Sequence, residues 1–194
     1  MKKRIMAGLL CLLLLIVLVG CGEETPESVV NNFLSNYQLK DFETSLAYLE
    51  GNSFKISSLN NEDKQALQLF QEIGSKMEYK NVELKSSTED TAVVTAEITN
   101  IDTALIFSDI MKDLLVSSLA TAFLDDSNEN LNNDTLFYDK FLDALKNPDL
   151  TTKEFKVSIN LKKIDGQWKI ISDDEFVNAI TGNLAKVVKD FSNI

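Results

Sequence analysis

The chain contains no histidine, no arginine beyond Arg4 and no cysteine beyond Cys21. Without histidine, Ser–His and Cys–His nucleophilic pairs are excluded, and so are the His/Cys ligand sets typical of zinc. Without further arginine, bidentate guanidinium clamps on phosphate or carboxylate are excluded as well. The seven glycines are scattered, so no glycine-rich phosphate loop is present. We therefore expect a protein that is not an enzyme, holds no metal and carries no cofactor.

Basic residues are also few. The chain has 19 Lys and Arg against 30 Asp and Glu, and three of the basic residues fall within the first four positions. From residue 21 onward, 16 basic residues face 30 acidic ones, a net charge of −14. Such a charge argues against binding nucleic acid, whose phosphates need Lys and Arg, and against electrostatic docking on anionic lipid.

The two cysteines are Cys11 and Cys21, so residues 22–194 contain none and cannot form a disulfide. Residues 22–194 must therefore obtain their stability from a packed core. Their length suits one such core and is short for two. We expect residues 26–194 to form a single domain.

The N-terminus has the layout of a bacterial secretory signal. Three basic residues precede an apolar run from Ile5 to Gly20, and this run of 16 residues is too short to span a bilayer as a permanent helix. Its end, Leu18-Val19-Gly20-Cys21, resembles the lipobox of bacterial lipoproteins. The resemblance implies a signal peptide over 1–20, cleavage before Cys21, a diacylglyceryl group on its thiol and a short tether over 21–25. The chain would then lie at the extracytoplasmic face of the cell membrane. The alternative is an uncleaved anchor helix.

Helical periodicity predicts three helices after the tether. Thr25 caps the first and Pro26 opens it, Asp41 caps the second, and Asn60 and Asn61 lie at the start of the third. Strands are predicted over 79–84 and 92–98. A long apolar helix follows over 103–124, with Phe107, Ile110, Met111, Leu114 and Leu115 on its principal face, and a further helix over 135–145.

The last part of the chain reads as a hairpin and a closing helix. Residues 155–162 alternate between apolar and polar, Asp165-Gly166 predicts a tight turn, and residues 167–171 form the returning strand. Ser172 and Glu175 then read as the capping box of a last helix that passes through Ile180.

Two stretches resemble a known family. The first is Thr25-Pro26-Glu27-Ser28-Val29-Val30 with Phe33-Leu34, Tyr37 and Asp41-Phe42; the second is 157–164 followed by Asp165-Gly166-Gln167-Trp168-Lys169-Ile170. Together they resemble the nuclear-transport-factor-2-like, or ketosteroid-isomerase-like, cone, and uncharacterised Gram-positive lipoproteins that carry it. The resemblance implies an α+β fold: N-terminal helices packed on a curved antiparallel sheet around an apolar cavity. The helical insertion over 103–145, between the second and third strands, departs from the family pattern.

Several groups are candidates for a site, each with a structural alternative. Asp173, Asp174 and Glu175 could form an acid/base cluster, but acidic residues also favour a helix N-terminus. Residues 125–130 have the composition of a calcium loop, yet position six is Leu131 and position twelve is Phe137, which excludes an EF-hand. A looser calcium site or a solvated loop remains open. The candidates for a ligand pocket, with core packing as their alternative, are Phe33, Tyr37, Tyr48 and Trp168. The candidates for a partner surface are Val116, Leu119 and Phe123, and the alternative for these three residues is burial in the core.

Three functions fit this pattern. The first is a non-catalytic lipoprotein whose cone binds a small apolar ligand or a peptide, which requires a hollow interior. The second is a protein–protein module of a cell-envelope complex that uses the insertion as its contact surface, with a filled cone and an exposed apolar patch. The third is a cone enzyme with a buried carboxylate base facing a pocket. The sequence favours the first.

Overall fold

The computed structural model describes residues 23–51, 59–124 and 133–191, without the side chains of 61, 62, 120–124, 133–135 and 191. The signal peptide and Cys21 lie outside these residues. The elements, in chain order, are α1 (Pro26–Gln38), α2 (Phe42–Leu46), α3 (Asn61–Ser75), β1 (Glu78–Ser87), β2 (Thr91–Ile101), α4 (Thr103–Leu124), α5 (Asn133–Ala144), β3 (Thr152–Ile164), β4 (Gln167–Ile170), α6 (Asp174–Ile180) and α7 (Leu184–Phe191).

The four strands form one antiparallel sheet in the order β1-β2-β3-β4. β2 and β3 pair without interruption from Thr91 opposite Lys162 to Ile101 opposite Thr152, whereas the pairing of β1 with β2 shifts register twice. Such bulges bend and twist a strand. The helices before the sheet and the insertion of α4 and α5 between β2 and β3 confirm the predicted α+β fold class.

Local signals set most of the element boundaries as the sequence predicts. The hydroxyl of Thr25 accepts a hydrogen bond from the Ser28 amide, and Asp41 and Asn60 cap α2 and α3 in the same way. The turn between β3 and β4 has φ of 50° at Asp165 and 80° at Gly166, the left-handed backbone that a two-residue hairpin requires.

The start of α6 differs from the prediction. Asp173, not Ser172, is the N-cap, and its carboxylate accepts a hydrogen bond of 2.9 Å from the Phe176 amide. The predicted last helix also ends at Ile180, and a separate helix, α7, follows after a turn at 181–183. Asp173 therefore serves the backbone at this helix terminus, and its Oδ2 also accepts a hydrogen bond from the Asn160 amide.

The first core lies between one face of the sheet and the helices α1 and α6. Alternate residues of β2 and β3 point into it and meet the buried stripe of α1. The fully buried members with the largest side chains are Tyr37, Phe33, Phe176, Leu34, Met77, Ile98, Ile159, Leu161 and Ile170.

A second core occupies one end of the sheet, where β2 runs into α4. Its buried residues are Leu69, Ile73, Ile101, Phe107, Ile110, Phe141, Leu145 and Leu184, from α3, β2, α4, α5, α7 and the residue after α5. The buried side chain of Asn100 lies between the two cores: its amide donates to the carbonyls of Ala179 and Ile180 in the first, at 3.3 and 2.9 Å, and its oxygen accepts a hydrogen bond from the amide of Ile101 in the second. Phe70 of α3 packs against both cores.

The N-terminal residues lie at the other end of the sheet. Glu23 forms an ion pair of 2.8 Å with Lys163, next to the β3–β4 turn. Lys163 and the β2–α4 junction are separated by about eleven residues of β3, roughly 35 Å at 3.3 Å per residue. α4 therefore begins at the end of the sheet that is remote from Glu23.

Candidate functional site

The space between α1 and the sheet is filled by aromatic side chains. The ring centroids of Phe33 and Tyr37 are 5.8 Å apart, those of Phe33 and Phe176 5.2 Å, and those of Tyr37 and Phe42 4.9 Å. Phe33 and Tyr37 are buried in this cluster, and neither lines the grooves found among the described residues. The structure thus places both of these pocket candidates in the first core.

The other two pocket candidates lie at the edge of the same core. Trp168 is buried on β4, with the ammonium of Lys163 5.6 Å from its ring centroid. Tyr48 is half-buried in the segment after α2, and its carbonyl accepts a hydrogen bond from the Ile170 amide. The four residues are not gathered around one groove, and a ligand role for them stays a prediction.

An apolar groove of about 480 Å³ does exist, between α2 and α3. Its lining residues are Phe42, Leu46, Leu59, Asp63, Ala66, Leu67 and Phe70. Phe42 separates it from the ring of Tyr37. The sequence did not indicate this groove, because its walls come from residues whose spacing reads simply as the buried stripes of two helices.

Tyr37 carries the one buried titratable side chain in the part of the chain that the structure describes. Its buried hydroxyl has no hydrogen-bond partner among the described residues, and burial raises the pKa of that hydroxyl well above its ordinary value of about 10. The described Asp and Glu side chains are all exposed or half-buried. A search of the described residues for clusters of His, Cys, Asp and Glu that could hold a metal ion finds none.

The burial of α4 changes along its length. In its first half, Phe107 and Ile110 are buried in the second core, and Phe107 packs edge-on against Phe137 of α5 at 5.6 Å between centroids. In its second half, every residue from 115 to 119 is exposed. Leu115 is 60% exposed, Val116 62% and Leu119 59%. The helix thus begins in the core and leaves it.

Two of the three partner-surface candidates have the exposure that this role needs, since Val116 and Leu119 are open to solvent. The side chain of Phe123 lies outside the described residues. Leu115, predicted to share the principal face of α4 with Phe107 and Ile110, does not follow them into the core, because it is as exposed as Val116. We define the exposed patch by Leu115, Val116 and Leu119 and call it the α4 patch. The stretch from Leu114 to Leu124 contains no charged residue.

Comparisons with known proteins give few matches. No family model and no curated protein matches the chain. Solved structures similar to it include a candidate lipoprotein (ycdA) of Bacillus subtilis strain 168, with 18% identity and a TM-score of 0.37 over 86% of this chain and 47% of that one. The chain thus spans about half the length of the Bacillus protein. An LEH-like epoxide hydrolase of M. tuberculosis has 15% identity and a TM-score of 0.32, over 87% of this chain and 96% of its own.

The resemblance to the nuclear-transport-factor-2-like family stays a prediction after these comparisons. Among the described residues, no helix is both long enough and apolar enough to be a membrane span.

Proposed function

We propose that this chain is an extracytoplasmic lipoprotein, anchored through lipid on Cys21, that acts as a protein-interaction module of the cell envelope with the α4 patch as its contact surface. The observation that carries the proposal is the exposure of Leu115, Val116 and Leu119 in the uncharged second half of a helix whose first half packs into the second core. Clustered, exposed apolar side chains on a folded protein mark interaction sites.

The filled interior supports a contact surface in preference to an internal ligand. Phe33, Tyr37 and Phe176 pack against one another between α1, α6 and the sheet, and none of them lines a groove found among the described residues. The proposal includes no catalytic role, because a carboxylate-based cone enzyme needs a buried Asp or Glu beside a pocket. The described Asp and Glu side chains do not offer one.

The position of Glu23 supports an orientation for the anchored molecule. Glu23 contacts Lys163 and stands two residues from Cys21, which limits the tether to about 7 Å at 3.5 Å per residue. The end of the sheet with the β3–β4 turn would therefore face the membrane, and α4 would start at the far end.

Binding of a small apolar ligand or a peptide is the second candidate function. The groove between α2 and α3 favours it, because about 480 Å³ lined chiefly by apolar side chains is the size of a small-molecule site. Native mass spectrometry of residues 22–194, purified gently from the host, tests it. A mass excess that disappears on denaturation would reveal such a ligand.

Two variants test the main proposal in host cells. Cys21→Ser should move the chain from the membrane fraction to the supernatant, because no thiol remains to carry lipid. Leu119→Ser should release the chain from its complex, measured by the size of the detergent-solubilised material, whereas Leu39→Ser should not. Leu39 is a matched control because it is 73% exposed and far from α4 in sequence. A Leu119→Ser chain that migrates like the wild type would refute the contact surface.

A further inference from the structure

The exposed face of α4 indicates which partner covers it. We infer that two copies of this chain associate through α4, with their two helices antiparallel. The inference rests on the proposed function, because it names the partner of the α4 patch. The alternative occupants are a different protein and the lipid surface.

Exposed residues recur along α4 at the spacing with which two helices pair. They are Leu105, Asp109, Lys112, Val116 and Leu119, at intervals of four, three, four and three residues, and we call them the α4 seam. At 100° per residue, all five lie within an arc of about 80° around the helix axis. Such alternation of threes and fours is the pattern through which two α-helices pack side by side. The seam therefore fits a second helix.

The α4 seam is apolar towards its ends and charged at its centre. Leu105 is 50% exposed, Val116 62% and Leu119 59%. Asp109 and Lys112 stand between them, and in the described part of the chain neither forms an ion pair with another side chain. Polar residues within such a seam set the register and the direction of pairing. The same two charges disfavour the lipid surface, because hydrocarbon would have to bury them.

The order of the residues along the seam matches its own reverse. Leu105 and Val116 lie at equal distances from the midpoint between Asp109 and Lys112. With a two-fold axis at this midpoint, Asp109 of each copy faces Lys112 of the other. Leu105 of each copy then faces Val116 of the other. A parallel pair would instead place like charges opposite each other, which is costly. Charge complementarity thus selects a second copy in antiparallel orientation.

The contact is too small for a stable dimer in dilute solution. From Leu105 to Leu119 the seam is about 21 Å long at 1.5 Å per residue. Its five side chains a copy are far fewer than the roughly 20 to 30 residues of a standard interface. Each copy also carries a net charge of −14 from residue 21 onward. Lipid anchors in one membrane would raise the effective concentration of the copies. We expect the chain without lipid to be a monomer and the lipidated chain to pair.

Engineered cysteines test the register, because residues 22–194 contain none. Leu105→Cys and Val116→Cys are combined in the full chain, which is oxidised gently in host cells. Disulfides join cysteines whose Cα atoms are about 4 to 7 Å apart. Within one helix the two positions are about 16 Å apart, so a disulfide can form only between copies. We expect a disulfide-linked dimer.

The matched controls are the two single-cysteine chains. Leu105→Cys alone and Val116→Cys alone should each give at least about tenfold less dimer, because in this register each thiol lies about 16 Å along the axis from its counterpart. The wild type, whose Cys21 carries lipid under the proposed function, should give none. Equal yields from the single and double variants would overturn the antiparallel register.

Charge reversal tests the central pair of the seam. Asp109→Lys or Lys112→Asp, added to the double-cysteine chain, should lower the dimer yield at least about threefold, because like charges then face each other. Both reversals together should restore the yield, since opposite charges face each other again. Reversals that have no effect, or that are not rescued by each other, would refute the role of this pair in selecting a second copy.

Absence of a dimer in every cysteine variant would overturn the pairing of copies. The proposed function is then judged separately, by capture with a photoreactive amino acid at Val116 in the full chain in host cells. A crosslink to a different protein would leave the proposed function standing without the second copy. A crosslink to lipid, or no crosslink at all, would refute both.

Discussion

Gly74 of α3 lies against the ring of Tyr37 on α1. A β-carbon at position 74 would be 2.6 Å from Cε1 and 2.8 Å from Cδ1 of that ring, and 3.1 Å from the Tyr37 carbonyl oxygen. Tyr37 is itself wedged between the rings of Phe33 and Phe42. The absence of a side chain at Gly74 thus allows α3 to lie against α1, next to Tyr37 in the first core.

Gly74→Ala should destabilise the protein by about 1 to 3 kcal/mol, because the ring has little room to move. Helix propensity predicts the opposite sign, since alanine in a helix interior is better than glycine by about 1 kcal/mol. The free energy of unfolding in urea, compared with the wild type, decides between them. A Gly74→Ala protein more stable than the wild type would show that the two helices are not in close contact.

Tyr37→Phe should leave the protein equally stable or stabilise it by about 1 kcal/mol, because it removes a buried hydroxyl that has no hydrogen-bond partner. Tyr48→Phe, at a half-buried tyrosine, serves as the control and should change the unfolding free energy by less than about 0.5 kcal/mol. A loss of more than about 1 kcal/mol in Tyr37→Phe would indicate that the hydroxyl is bonded in the folded protein.

Alkaline pH should unfold the wild type more readily than Tyr37→Phe. Burial raises the pKa of Tyr37 in the folded state above its value of about 10 in the unfolded state, so above pH 10 only the unfolded chain releases this proton. Stability should then fall with pH by up to about 1.4 kcal/mol per pH unit more than in the variant. All other groups are common to both proteins, so the difference isolates Tyr37. An equal dependence of the unfolding free energy on pH in the two proteins above pH 10 would contradict the burial of this hydroxyl.

Asn100→Ala should destabilise the protein by about 2 to 3 kcal/mol, because the Ile180 carbonyl loses its side-chain donor and the Ile101 amide loses its acceptor. Asn160→Ala is the matched control: its amide also donates one hydrogen bond of 2.9 Å, to Asp173, but at an exposed position. We expect less than about 0.5 kcal/mol there. Equal losses of unfolding free energy in the two variants would argue against a buried junction between the cores.

Elements with local signals could be predicted from the sequence. The caps at Thr25 and Asp41 and the turn at Asp165-Gly166 each depend on neighbouring residues, and each is found where it was expected. The choice of Ser172 as a cap failed because a serine and an aspartate stand side by side, and only the fold decides which one faces the α6 amides. The helix α7 was missed for a related reason: it begins after a turn at Gly182 and Asn183, within a pattern that reads as one helix.

The orientation of α4 could not be predicted, because its apolar residues fall on every side of the helix and leave no clear periodicity to distinguish a buried face from an exposed one. Leu115 and Leu114 are equivalent in the sequence, yet only Leu115 is exposed. The sequence also could not predict that aromatic side chains fill the first core. Whether Phe33 and Tyr37 line a cavity or close it depends on how near α3 comes, and that depends on Gly74.

The most direct test of whether a partner covers the α4 patch in cells uses the scarcity of cysteine. Residues 22–194 contain none, so Leu119→Cys and the control Leu39→Cys each add a single thiol to the folded part of the anchored chain. The rate of reaction with a membrane-impermeant maleimide is measured in intact cells and on the purified protein. We expect both thiols to react in the purified protein, and in cells we expect the thiol at 39 to react while the thiol at 119 is protected. If the thiol at 119 reacts equally fast in cells and when purified, nothing covers α4 and the proposed function is wrong.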